Sequence, residues 1–158
     1  LVPEEITMAN SQAMCTSFKT ELLNGIHAFG TTVTRGSTTA DTFKAALFLA
    51  SGSLGAATTT YSTTSELAGT GNYTQGGVTL TWNAPASSGT TAYSTPTASF
   101  SWSNLTSSGA FDAVLIYNST QSNKAVSVHT FSSQSVTASS FSLTMPTNDS
   151  STGLIRIA

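Results

Sequence analysis

The side chains able to do chemistry are few in this chain of 158 residues. They are two histidines, His27 and His129, one cysteine, Cys15, and seven carboxylates: Glu4, Glu5, Glu21, Asp41, Glu66, Asp112 and Asp149. Nucleophilic catalysis needs a hydroxyl or thiol within reach of an imidazole that a third group orients. Serines abound, yet no G-x-S-x-G elbow occurs, and neither histidine belongs to a pair with zinc-ligand spacing. His27 falls at the end of an expected helix, where an imidazole meets the carbonyl-rich terminus. His129 takes an alternating position in "VSVHTF", as a strand-surface or core-edge residue does. Glu66 and Asp112 could meet at one sheet edge as a glycosidase pair, though each reads more simply as a turn or strand-end residue. No catalytic, cofactor or metal residue is assigned.

One stretch looks like a ligand loop: "SELAGTGNYTQGGVTLTW", residues 65–82, with Gly69, Gly71, Gly76 and Gly77 within nine positions. A phosphate-binding loop of the Walker type needs Lys and then Ser or Thr after its second glycine; here Gly77 and Val78 follow Gly76. A dinucleotide fingerprint starting at Gly69 finds Thr74 where its third glycine belongs, and it leads into a strand. No helix N-terminus would face the anion. The glycines are therefore read as a structural loop giving backbone freedom at a turn or bulge.

Those residues sit in an unusual background. Only 8% of the chain is charged, where about 25% is typical, and runs such as "AATTTYSTTS" and "FSSQSVTASSFS" take the place of charge. Threonine favours strands and serine favours turns, so the bias reads as an all-β surface. Five basic residues and a net charge of −2 leave no footprint for nucleic acid. No apolar run reaches the ~20 residues that span a bilayer. The N-terminus "LVPEEITMAN" has no basic segment or apolar core, so it does not read as a secretory signal. A single cysteine excludes an internal disulfide and points to a reducing compartment. Residues 1–10 are set apart as an N-terminal arm, non-native or processed in origin, and residues 11–158 as one domain.

Periodicity supplies the elements. Met14, Phe18, Leu22 and Ile26 recur every four residues, so an amphipathic helix is expected over 11–29, capped by Asn10 or Ser11 and stopped by Gly30. Thereafter the period is two. "TFKAALFLA" reads as a strand buried on both faces, while "GVTLTW", "ASFSWSN", "FSLTM" and "GLIRIA" alternate. "FDAVLIYN" and "KAVSVHTF" flank "STQSN" as a hairpin. Residues 51–72 read as an extended surface loop. The expected fold is mainly β, an antiparallel sandwich or jelly roll with one N-terminal helix. Trp82 and Trp102, on alternating strand positions, read as core or interface anchors.

The phrases "FKTELLNGIHAFG", "DTFKAALFLASGSLGAATTTYSTTSELAGTGNYTQGGVTLT", "AVLIYNSTQSNKAVSV" and "LIRIA" together resemble a set of small virion proteins of tailed phages. The resemblance covers most of residues 14–158 and is least clear over 83–104. It implies a helix followed by a β-sandwich, a head decoration (cement) protein, and neither an enzyme nor a cofactor. The implied partner is the major capsid protein, with a homo-oligomer (trimer or dimer), no nucleic acid and no membrane. The implied location is the virion, after synthesis in the bacterial cytoplasm. Candidate contacts are Phe18, Leu22 and Ile26 on the helix, and Tyr73 in the loop. The alternative is a receptor- or glycan-binding module of a tail or head fibre, with Trp82, Trp102 or Tyr73 exposed as stacking platforms.

Overall fold

The computed structural model describes residues 9–23, 25–30, 39–68 and 71–158. Along them run β1 (Ala13–Met14), α1 (Thr16–Leu23), β2 (Phe43–Leu49), β3 (Val78–Leu80), β4 (Ala86–Ser88) and β5 (Thr91–Ser94). Then follow β6 (Phe100–Leu105), β7 (Phe111–Asn118), β8 (Lys124–Gln134), β9 (Ser139–Leu143) and β10 (Ile155–Ile157). The protein is mainly β, and its named strands pair antiparallel.

A five-stranded sheet in the order β1-β8-β7-β2-β3 forms the body, beside a β10-β5-β4 sheet and a β6-β9 pair. The two most apolar stretches, β2 and β7, lie side by side in the middle of the large sheet, and nearly all their side chains are buried. That is where an apolar run without alternation belongs, since water reaches neither face. The "STQSN" hairpin joins β7 to β8 with Asn118 opposite Lys124. Its last two residues, Ser122 and Asn123, hold positive φ, a conformation the short polar asparagine tolerates.

The helix is shorter than the stripe of Phe18, Leu22 and Ile26 suggests. It closes at Leu23, because Gly25 takes φ +66° and its N–H bonds the Leu22 carbonyl while Ile26 N–H bonds Glu21 O, both at 3.0 Å. This is a Schellman ending, which a glycine permits without steric cost. At the other end Ala13 and Met14 pair with β8 instead of continuing the helix. Asn10 does not cap it: its side chain bridges Leu49 O, Asp112 Oδ1 and Leu54 N–H. The boundary drawn after residue 10 therefore cuts through a contact with the body; residues 1–8 of that arm lie outside the described residues.

Residues 51–68 are not a loose excursion. Leu67 N–H bonds Leu47 O and Leu49 N–H bonds Ser65 O, so the segment continues the β2 edge where β3 ends. Earlier in the same segment, Tyr61 N–H bonds Asn123 O and Ala125 N–H bonds Thr59 O at the start of β8. The hairpin β4–β5 falls inside "WNAPASSGTTAYSTPT", where serines and threonines hide the alternation.

Two aromatic groups fill the interior. Phe18, Phe29, Phe43 and Trp82 meet edge-on or stacked at 4.5–5.9 Å between ring centroids. Trp102, Phe141, Phe111 and Phe131 form the second group, at 4.9–6.0 Å. Such pairs favour one packing arrangement beyond their buried area.

Candidate functional site

The glycine-rich loop converges on one carboxylate. Glu66, only 3% exposed, accepts from Tyr61 OH at 2.5 Å on Oε2. Its Oε1 accepts from Tyr73 OH at 2.8 Å and from Gly76 N–H at 2.7 Å. Tyr73 OH in turn accepts from Leu47 N–H at 3.0 Å, and Tyr117 OH donates to Gly76 O at 2.7 Å. Gly76 is thus held at both its main-chain groups. Burial, and then the Glu66 charge, push the Tyr61 and Tyr73 hydroxyls far above the ordinary phenol value. The same two causes push Tyr117 up to about 12. Both carboxylate oxygens are engaged and closed from solvent, so this Glu orders the loop around it.

The glycines earn their places by close approach. A Cβ on Gly77 would stand 1.9 Å from Ala45 O, and one on Gly71 would stand 1.7 Å from Asn104 O; both residues also hold positive φ. Gly76 holds φ +93°, and a Cβ there would meet only the Tyr117 hydroxyl, at an ordinary contact distance of 3.7 Å, while Gly69 lies outside the described residues.

A second buried group assembles from α1, the segment after it, β7 and β8. Glu21 Oε2 meets His27 Nε2 at 2.7 Å, and Glu21 Oε1 meets Lys124 Nζ at 2.6 Å. Asn118, with no exposed surface, directs its amide nitrogen to His27 Nδ1 at 3.0 Å and Asp41 Oδ2 at 2.7 Å. Asn118 Oδ1 accepts from Thr120 N–H and Gln121 N–H. Asp41 also accepts from Ala28 N–H and from the Gln121 amide. Burial raises the Glu21 carboxyl, but the hydrogen bonds from Lys124 and His27 outweigh it and hold it below its ordinary value. Next to this group the buried Cys15 thiol is pushed up to about 11, by burial and then by the Glu21 charge. A thiol so protonated is a poor nucleophile.

Placement of the sequence candidates follows. Phe18 is fully buried and Tyr73 only 4% exposed, so neither offers surface to a partner; their apolar bodies serve the core and the Tyr73 hydroxyl serves Glu66. Leu22 and Ile26 are half-buried. Trp82 and Trp102 are closed inside aromatic groups, which removes them as stacking platforms. His27 lies past the helix end and bonds side chains, not terminal carbonyls. Glu66 and Asp112 share no partner, since Asp112 is held by Asn10. His129 is half-buried on β8 with Ser127 Oγ at 2.9 Å. It lines a cleft of about 120 Å³ with Val114, Ile116, Phe131, Leu143 and Met145. Burial there pushes its imidazole down to about 4.

The sequence reading missed the Glu66–tyrosine and Glu21–His27–Asn118 groups. A signal existed for both: tyrosines and carboxylates are scarce in this chain, so each one on a β-rich scaffold is a candidate for an internal polar contact.

Two further charges, Asp149 and Arg156, are tied down locally. Asp149 accepts from Ser151 N–H and Thr152 N–H, and Arg156 donates to the carbonyls of Ser150 and Ser151. Among the described residues the ion pair between fixed charges is Lys124 with Glu21. Along β6 and β9 the outward side chains are largely hydroxyl, with Ser101, Ser103, Ser140 and Ser142 exposed. Among the described residues no group of His, Cys, Asp and Glu is placed to hold a metal ion, and no helix is long and apolar enough to cross a membrane. No protein-family model, no curated protein and no solved structure matches the chain.

Proposed function

We propose that the chain is a virion structural protein of a tailed phage that binds the outer surface of the major capsid shell and bridges neighbouring subunits. In this reading the antiparallel sheets are the layers of a sandwich or jelly roll, and the protein works as a homo-oligomer. The observation that carries it is the inward turn of charge. Glu66, Glu21, Asp41 and Asp112 are engaged within the fold, and the outer strand faces present serine.

A surface of that kind holds a partner through shape and hydrogen bonds. Such contact is insensitive to salt, because it does not depend on screened charge pairs. Each copy would need to bury on the order of 1,000 Å² against the shell. Bridging then stabilises the capsid, since separating two subunits also exposes that area. The order of the phrases from "FKTELLNGIHAFG" to "LIRIA" supports the same reading.

The test is co-sedimentation of the purified chain with mature capsids at low and high salt, together with its copy number per virion. Hundreds of copies and binding unchanged by salt are expected. A dozen copies or fewer, or release by moderate salt, overturns the reading.

A further inference from the structure

The hydrogen bonds around His27 fix its protonation state by geometry. Asn118 spends its amide nitrogen on Asp41 Oδ2 and His27 Nδ1, and its carbonyl oxygen on Thr120 N–H and Gln121 N–H. Turning the amide over would set oxygen against the Asp41 carboxylate and NH₂ against two N–H groups, so its orientation is unambiguous. His27 Nδ1 must therefore accept, and Nε2–H must donate to Glu21. The ring is neutral, in the Nε2–H tautomer, with its side chain fully enclosed. Phe18 lies edge-on to it, with ring centroids 4.8 Å apart, and Phe43 stacks at 6.4 Å.

We propose that this cluster is an acid-sensitive latch, in which a second proton on His27 breaks its contact with Asn118 and frees the segment 25–30 from the end of β7. The imidazolium would present Nδ1–H to an amide that can only donate. A buried donor facing a donor is costly. The charged groups around the ring act in opposite directions. Glu21 from α1 and Asp41 from the segment before β2 favour the cation, whereas Lys124 from β8 opposes it. Cys15, next to Glu21, stays a neutral thiol. Glu21 keeps its hold on Nε2–H in either state, so the ring pivots about that bond and only the Asn118 side opens. The local consequence falls on groups tied to Asp41 and Asn118: Ala28 N–H, Thr120 N–H and Gln121 N–H.

The experiment follows the imidazole nitrogens and these amides in the ¹⁵N-labelled chain as pH is lowered through the range in which histidine side chains take up a proton. The Nε2–H tautomer is expected at the upper end. As His27 takes its second proton, the Asn118 side-chain amide should shift, and the three backbone amides should lose protection roughly tenfold beyond the intrinsic pH effect, the worth of one hydrogen bond. H27Q is the control: glutamine can donate to Glu21 and accept from Asn118 without titrating, so the pH response should vanish. The latch is overturned if H27Q keeps the response. It is equally overturned if His27 stays neutral throughout, or if it is doubly protonated with the Asn118 resonance unmoved. Should H27Q fail to fold, the wild-type spectra alone decide between these outcomes.

Discussion

Glu66 and Glu21 are both buried, at 3% and 8% exposure, yet the fold satisfies them by opposite means. Glu66 is held by two phenols and a backbone N–H, and among the described residues no cation pairs with it. Glu21 is held by a lysine and an imidazole, the lysine side chain being one-third exposed. The hydroxyl-lined group belongs to a loop that continues the β2 edge of the large sheet, where Glu66 itself is almost wholly withdrawn from water and a buried cation would be expensive. The ion-paired group lies where α1 meets β8, near enough to water for Lys124 to keep part of its hydration. Position in the fold selects which chemistry can neutralise a carboxylate.

Mutations can break this contrast. Replacing Glu66 with Ala leaves Tyr61 OH, Tyr73 OH and Gly76 N–H without acceptors, so urea denaturation should show a loss of about 3–5 kcal/mol. A loss under about 1 kcal/mol would mean that the loop repacks and the carboxylate is dispensable. Tyr73→Phe removes one donor to Glu66 and the acceptor of Leu47 N–H, and should cost about 2 kcal/mol. Lys124→Gln sits at the wet end of the other group. It should cost about 1 kcal/mol or less, and the difference from wild type should shrink in high salt.

The two groups also differ in the pH at which they fail. Folding holds the Glu21 carboxyl below its ordinary value of 4.5. The unfolded chain therefore binds the proton more tightly, and this stability, full above that value, disappears as pH falls below it. The tyrosines behave in reverse. Their hydroxyls ionise near 10 when unfolded, and Tyr117 only near 12 when folded, so stability should decline as pH rises past 10. Denaturation curves across pH should show Glu21→Gln flattening the acid limb and Tyr117→Phe flattening the alkaline one; equal effects on both limbs would break the contrast.

His129 adds a smaller acid contribution, between its ordinary 6.5 and about 4. There the unfolded chain takes a proton that the folded one refuses, and stability drops as pH falls. Replacing His129 with Leu should remove that part of the slope, read from the same curves.

Much of the fold was legible in pattern. "FDAVLIYN" matches β7 to the residue, and the polar "STQSN" link forms the turn it suggests. Both follow from local rules: alternation or apolar runs for strands, and small polar residues for turns. The helix was overdrawn, because the stripe Phe18–Leu22–Ile26 continues past Gly25, and the glycine ends the hydrogen bonding first. Strands β4 and β5 went unseen because a Ser/Thr-rich hairpin has almost no hydropathy contrast.

Composition and periodicity by themselves determined the β class, the central strands, the scarcity of charge and the need for glycine before β3. Those properties arise from neighbours along the chain. Tertiary structure alone decided that Tyr73 turns inward, that Glu66 meets three donors, and that His27 is wedged between Glu21 and Asn118. Asn118 lies 91 residues from His27 in sequence and 77 from Asp41. The physical reason is that burial and hydrogen-bond partnership depend on which distant segments share an interior, and no local period records that.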